Sequence, residues 1–81
     1  MLVTLYTKPG CCLCDDARSY LEESASDIEF ELREVDIRVD PDLFARYRFR
    51  IPVIVINEHE TLEGRIERAD VELALTQNAP L

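Results

Sequence analysis

Cysteine is absent from this sequence except at positions 11, 12 and 14, tryptophan is absent altogether, and the single histidine stands at position 59. The confinement of the thiols excludes a structural disulfide framework. Three is an odd count, and a staple stabilises by closing a long stretch of chain, whereas these thiols all fall within four positions. Positive charge is also scarce, with 9 basic residues against 17 acidic ones and a net charge of −8. Nucleic-acid affinity comes largely from lysine and arginine neutralising phosphates, so no nucleic-acid partner is expected. The same argument turns the chain away from an anionic membrane surface. The acidic balance reads first as a solvated surface that keeps a small protein soluble. No apolar run is long enough to span a bilayer. The opening Met-Leu-Val-Thr-Leu-Tyr has no basic n-region and no cleavage site, and a cytoplasmic location is expected.

What is present is a short globular chain. Its 81 residues are expected to form one domain over 1–81, close to the lower limit for burying a core. An apolar share of 47% and runs such as Val53-Ile54-Val55-Ile56 supply that core. Leu2 to Tyr6 reads as a strand that ends at the turn signal Lys8-Pro9-Gly10. Ala17, Tyr20, Leu21 and Ala25 fall at helical spacing and predict a helix from about Cys12 to Glu23. Asp15 and Asp16 suit its first turn, where the dipole favours negative charge. Phe30 to Ile37 reads as a second strand with a change of phase, since Phe30 and Leu32 share one face and Val35 and Ile37 the other. The expected cause is a bulge or a late start. Asp40-Pro41 marks a helix start with Asp as N-cap and Pro in the first turn. Val53 to Ile56 reads as a strand buried on both faces, Thr61 to Ile66 as a weaker strand after a turn, and Val71, Ala74 and Leu75 as a last helix. The predicted order is β-α-β-α-β-β-α, an α/β fold with a four-stranded mixed sheet flanked by helices. The first two strands would be parallel and the last two a hairpin. A ferredoxin-like fold, the structural rival, begins β-α-β-β.

The thiols sit where the first strand runs into the first helix. Thiolate is the reactive form of cysteine, and it is stabilised at a helix N-terminus by unpaired backbone N–H groups and the positive dipole end. Cys11 occupies that place, with the Lys8 cation three residues before it, so Cys11 is expected to ionise readily. Asp15 and Asp16 oppose this, and the helix terminus is expected to win. Cys14, one turn further in, is expected to be less exposed. The asymmetry fits a two-step exchange in which Cys11 attacks a substrate disulfide and Cys14 resolves the mixed disulfide. Cys-x-x-Cys after a first strand in a βαβ pattern is a redox signal. Structural zinc needs four ligands in tetrahedral reach. Three cysteines within four residues strain to surround one ion, and the other soft ligand, His59, lies in a turn that a hairpin can carry away. No internal metal site is assigned, and a cluster bridged between two chains stays open as an alternative. Cys12 reads either as a small residue in an exposed loop or as an accessory thiol, a secondary acceptor for glutathione or a third exchange partner. A bond between neighbours Cys11 and Cys12 would be strained.

The stretch "LYTKPGCCLCDDA" resembles the "LYTKPGCPYC" opening of glutaredoxins, "DIRVDPDL" looks like that family's second strand and helix start, and "IPVIVIN" looks like its "VPxVFING" segment. The resemblance runs in order to about Asn57 and is nearest to the small glutaredoxin-like group with Cys-Cys-x-Cys, a branch of the thioredoxin superfamily. It implies that Cys11 is the nucleophile, Cys14 the resolving thiol and the Ile51-Pro52 bond cis. It further implies that Ile51 offers its backbone N–H and C=O to an extended substrate beside Cys11. Two departures stand out. Cys12-Leu13 replaces the usual Pro-Tyr, and the Gly-Gly…Asp stretch that holds glutathione is reduced to a lone Gly64 with Asp70 several residues on. Arg48 and Arg50, just before Ile51-Pro52, could compensate by binding carboxylates, or simply balance an acidic surface. Tyr6 is read as core or near-site packing.

These features predict a monomeric thiol–disulfide oxidoreductase with no bound organic cofactor. Its expected partners are a disulfide-containing protein or a glutathione mixed disulfide, and a reductant. Glutathione as co-substrate or a thioredoxin reductase-type enzyme would supply the electrons. A metal or iron–sulfur carrier and a redox-inactive binding module with the same fold are the alternatives.

Overall fold

A computed structural model describes residues 1–79 of the protein. The chain forms β1 (Leu2–Thr7), α1 (Cys12–Ser24), β2 (Glu31–Asp36), a short 3-10 turn (Ile37–Val39), α2 (Pro41–Tyr47), β3 (Val53–Ile56), β4 (Glu60–Glu63) and α3 (Arg68–Asn78). The β-α-β-α-β-β-α order predicted from the sequence is the one observed. The sheet order is β2-β1-β3-β4, with β1 parallel to β2 and antiparallel to β3, and β3 antiparallel to β4.

Side chains alternate across a strand, and this divides the sheet into two unequal faces. Val3 and Leu5 of β1 and Ile54 and Ile56 of β3 point to one side. There they meet Ala17 and Leu21 of α1 and Val71, Ala74 and Leu75 of α3, all fully or almost fully buried. The other side carries Leu2, Thr4 and Tyr6 of β1, Val35 of β2 and Val55 of β3, and these line an open cleft of about 390 Å³ with Tyr47. α2 is the helix on that face, and none of its seven residues is fully buried. Val53 on that face is fully buried and Val55 half-buried, so β3 is buried on both faces, as its continuous apolar run suggested, with thinner cover at Val55.

Two local expectations are corrected. The phase change in the second strand needs no bulge, because β1 and β2 pair in unbroken register from Leu2↔Glu31 to Thr7↔Asp36. Leu32 packs on the core, Val35 lines the other face, and Ile37 has left the strand for the 3-10 turn, where it is fully buried. Two phases of apolar residues thus serve two faces and the turn that follows. The last strand ends at Glu63 rather than Ile66. Gly64 adopts φ +75°, a conformation open to glycine at little cost, and its N–H is shared between the carbonyls of Arg50 (3.2 Å) and Pro52 (3.1 Å). Ile66 then reaches the core from irregular chain. Asp40 does cap α2, its Oδ1 accepting the Asp42 N–H at 2.8 Å with Pro41 in the first turn. Among the described residues no helix is long and apolar enough to cross a membrane.

Candidate active site

β1 delivers the chain to the edge of the core, and Lys8-Pro9-Gly10 turns it into α1. Gly10 holds φ +81° with nothing within 4 Å of where a Cβ would stand, so backbone conformation rather than space calls for glycine there. Cys11 follows as the N-cap of α1, with extended backbone (φ −97°, ψ 106°). Its Sγ accepts the backbone N–H of Cys14 at 3.2 Å and its carbonyl accepts the N–H of Asp15 at 3.2 Å. The sulfur thus takes the place of the side-chain oxygen that caps most helices. Cys11 is half-buried, Cys14 is fully buried, and the two are joined in a disulfide with their Cα atoms 5.2 Å apart. Cys12 is exposed and free.

The acidic first turn is partly neutralised from a distance. The Arg18 guanidinium donates to Asp15 Oδ1 at 2.8 Å and, through Nε, to Glu34 Oε1 at 2.7 Å; a second nitrogen also bonds the same Glu34 oxygen. Hydrogen bonds to Glu34 and then Asp15 hold the Arg18 guanidinium well above its ordinary value. Asp15, expected to oppose a thiolate, is therefore shared with a permanent cation. Sequence reading missed Arg18 because its main partner lies sixteen residues away on β2. Lys8 is half-buried and lines a cleft of about 290 Å³ with Thr7, Asp15, Arg18, Glu34 and Asp36, and it makes no ion pair among the described residues. Its nearness to Cys11 rests on chain separation rather than on a contact.

The Ile51-Pro52 bond is cis, as the resemblance implied, and Pro52 is fully buried. Tyr6 on β1 pairs with Val53 on β3, which sets Ile51 and Pro52 at the end of the sheet from which β1 leaves for Cys11. The half-buried Ile51 offers less than expected. Its N–H is already donated to the Tyr47 carbonyl at 3.1 Å, which leaves its carbonyl, with no turn or loop hydrogen bond among the described residues, as the backbone group on offer. Arg50 is also engaged: Nε donates to Glu63 Oε2 at 2.9 Å, and the guanidinium lies 5.2 Å from the Tyr47 ring centroid. The bond to Glu63 raises the Arg50 pKa. Arg50 therefore braces the loop before β3 against β4. Tyr6 stacks on Tyr47 with ring centroids 4.7 Å apart, in line with its reading as near-site packing. Asp70 Oδ2 accepts the Glu67 N–H at 3.2 Å and so belongs to the cap of α3.

The structure separates the thiols from the lone histidine. β3 runs antiparallel to β1, with Val3 opposite Ile56, so the turn carrying His59 lies at the far end of the sheet from Cys11. Among the described residues no three His, Cys, Asp or Glu side chains are grouped so that they could hold a metal ion.

Comparison with known proteins agrees with this architecture. The family model described as Glutaredoxin-like domain (DUF836) matches residues 2–76. Uncharacterized proteins of Mycobacterium tuberculosis and Mycobacterium bovis are each 33% identical over 79 residues, covering 85% of this chain and 80% of theirs. Among solved structures, a structural-genomics target from X. campestris superposes with a TM-score of 0.79 at 27% identity, covering 96% of this chain and 99% of its own. A point mutant of thioredoxin from Halobacterium salinarum gives 0.78 at 15% identity over 99% of this chain and 75% of its own. Thioredoxin 1 from Thermosipho africanus gives 0.75 at 15% over 95% and 92%. At such identity the thioredoxins speak to the fold alone. With a family model spanning nearly the whole chain and a Cys-x-x-Cys pair at the strand–helix junction of a thioredoxin-type fold, the protein belongs to the glutaredoxin-like domain family.

Proposed function

We propose that the protein is a thiol–disulfide oxidoreductase working through Cys11 and Cys14. The observation that carries this reading is the asymmetry of the pair. Cys11 is reachable from solvent and its sulfur receives a backbone N–H at a helix N-terminus, while Cys14 is buried behind it at bonding distance. A thiolate at Cys11 would be stabilised by that N–H and by the helix dipole. It attacks one sulfur of a substrate disulfide, forms a Cys11–substrate bond and expels the other substrate sulfur as thiolate. Cys14 then loses its proton to solvent or to the departing thiolate and attacks Cys11 Sγ. The second substrate sulfur leaves, and the Cys11–Cys14 disulfide closes. Two electrons pass from the dithiol to the substrate, and an external thiol reductant restores the pair, so no bound organic cofactor is needed.

A protein disulfide is favoured over glutathione as substrate. Gly64 stands without a second glycine, and the Asp70 carboxylate is committed to the cap of α3. Backbone docking at Ile51 would use its carbonyl, since its N–H is taken. Cys12, exposed beside the pair, is available as an accessory thiol.

Trapping tests the reading. A Cys14→Ser variant exposed to cell extract should retain proteins covalently bound to Cys11 that reductant releases. If it retains no more than a Cys11→Ser control, the exchange chemistry is refuted. Bound metal in freshly purified protein that is lost on replacing Cys11 would favour a carrier instead.

A further inference from the structure

The basic residues of this acidic chain are mostly neutralised within it. Arg18, Arg33, Arg38, Arg50 and Arg68 each meet a carboxylate. Lys8, Arg46, Arg48 and Arg65 meet none among the described residues, and of these Arg46 and Arg48 lie against aromatic rings instead. Arg48 Cζ is 5.1 Å from the centroid of Phe44 and 4.6 Å from that of Phe49, and Arg46 Cζ is 5.8 Å from that of Tyr47. All three distances lie within cation–π range. The Arg48 N–H donates to the Phe44 carbonyl at 3.0 Å, which sets the two residues one turn apart at the end of α2.

Phe49 is 87% exposed, more than any other large apolar side chain described. It gives nothing to the core, and it helps to hold a cation in place. Ring contacts leave a guanidinium its charge and its fork of N–H donors, which suits a carboxylate held in two-point fashion. None of the Arg48 side-chain donors is spent on an acceptor among the described residues, in a chain with 17 acidic groups. The placement is also informative. Arg48 lies four residues before Pro52, and its neighbour Tyr47 stacks on Tyr6 near the end of β1 that leads to Cys11.

We propose that Arg46, Arg48 and Phe49 form a docking surface for an acidic segment of the protein whose disulfide Cys11 attacks. This rests on the exchange reading above and adds a substrate class to it. The aromatic rings restrain Arg48, so less side-chain entropy is lost when a carboxylate binds. The net charge of −8 shapes the partner further. It repels a strongly acidic protein, but screening over about 8 Å at physiological ionic strength lets one local patch act alone. The fitting substrate carries Asp or Glu beside its disulfide on a surface that is not acidic overall.

The test uses two synthetic peptides with the same intramolecular disulfide, one flanked by Glu and Asp and the other by Gln and Asn. Wild-type protein should reduce the acidic peptide about three- to tenfold more efficiently in kcat/KM. Arg48→Lys and Phe49→Ala should each bring the ratio of the two rates close to one, because lysine lacks the planar fork and alanine removes a restraining ring. Both positions are exposed, so folding is not at issue. Binding of the reduced peptides to a Cys11→Ser variant, followed by fluorescence anisotropy, gives a second readout that needs no exchange chemistry. Equal rates and equal binding for the two peptides overturn the docking surface and leave the exchange reading intact. Selective binding of the acidic peptide without reduction of any disulfide does the reverse. Displacement of the acidic peptide by equimolar glutathione, or concentration-dependent dimerisation lost in Arg48→Lys, would identify a different occupant and overturn the proposal.

Discussion

The proposed division of labour between Cys11 and Cys14 predicts how the reduced protein meets a small alkylating agent. In a Cys12→Ser background, two thiols compete. Cys11 is half-buried and accessible, whereas Cys14 has no exposed surface and reacts only after the first turn of α1 opens. Opening that turn breaks the Cys14 N–H to Cys11 Sγ contact and the Asp15 N–H to Cys11 carbonyl bond, each 3.2 Å long. At about 1 kcal/mol per hydrogen bond and up to about 1 kcal/mol for re-exposing a small apolar side chain, the opening costs about 2–3 kcal/mol. At tenfold per 1.4 kcal/mol, Cys14 should be modified about 30- to 150-fold more slowly than Cys11, before any gain from a more nucleophilic thiolate. Timed iodoacetamide quenching with peptide mass mapping measures both rates in one sample. Comparable rates, or faster modification of Cys14, would refute the assignment of attacking and resolving thiols.

Three further outcomes follow from packing and charge. Leu21→Ala empties a fully buried site between α1 and the sheet and should cost about 2–5 kcal/mol in urea unfolding, whereas Leu73→Ala on the exposed face of α3 should stay within about 0.5 kcal/mol. Glu58 holds φ +66° in the turn between β3 and β4, so Glu58→Gly should raise the urea midpoint by the equivalent of about 0.5–1 kcal/mol, and a lowered midpoint would count against the strained turn. Asp36 bonds the side chain and then the backbone N–H of Arg38, which lowers its carboxyl below the ordinary 3.8. Its stabilising contribution is complete above that value and is lost as pH falls through the lower folded-state value. Carboxyl carbon shifts followed by NMR should show Asp36 titrating after the exposed carboxylates as acid is added.

How much could be read from the chain differs from element to element. Periods of two and near four, the Asp40-Pro41 start and the Lys8-Pro9-Gly10 turn are local signals, and the element order and the cap position of Cys11 followed from them. The cis bond before Pro52 came through the family resemblance, because proline chemistry alone leaves both isomers open. Phase in the second strand was misread because a sequence does not state how many faces of a strand are covered. Here Leu32 and Val35 serve opposite faces of one regular strand.

The sequence by itself determined where the paired sulfurs stand along the chain and which of them crowns the helix, since the hydrogen-bonding needs of a helix end act over four residues. Only the tertiary structure decided which charges are spoken for. Arg18 found Glu34 sixteen residues away and Arg50 found Glu63 thirteen away, while Arg48 was left to the rings of Phe44 and Phe49. Ion pairing depends on distance through space, which is set when strands and helices pack, and no local spacing records it.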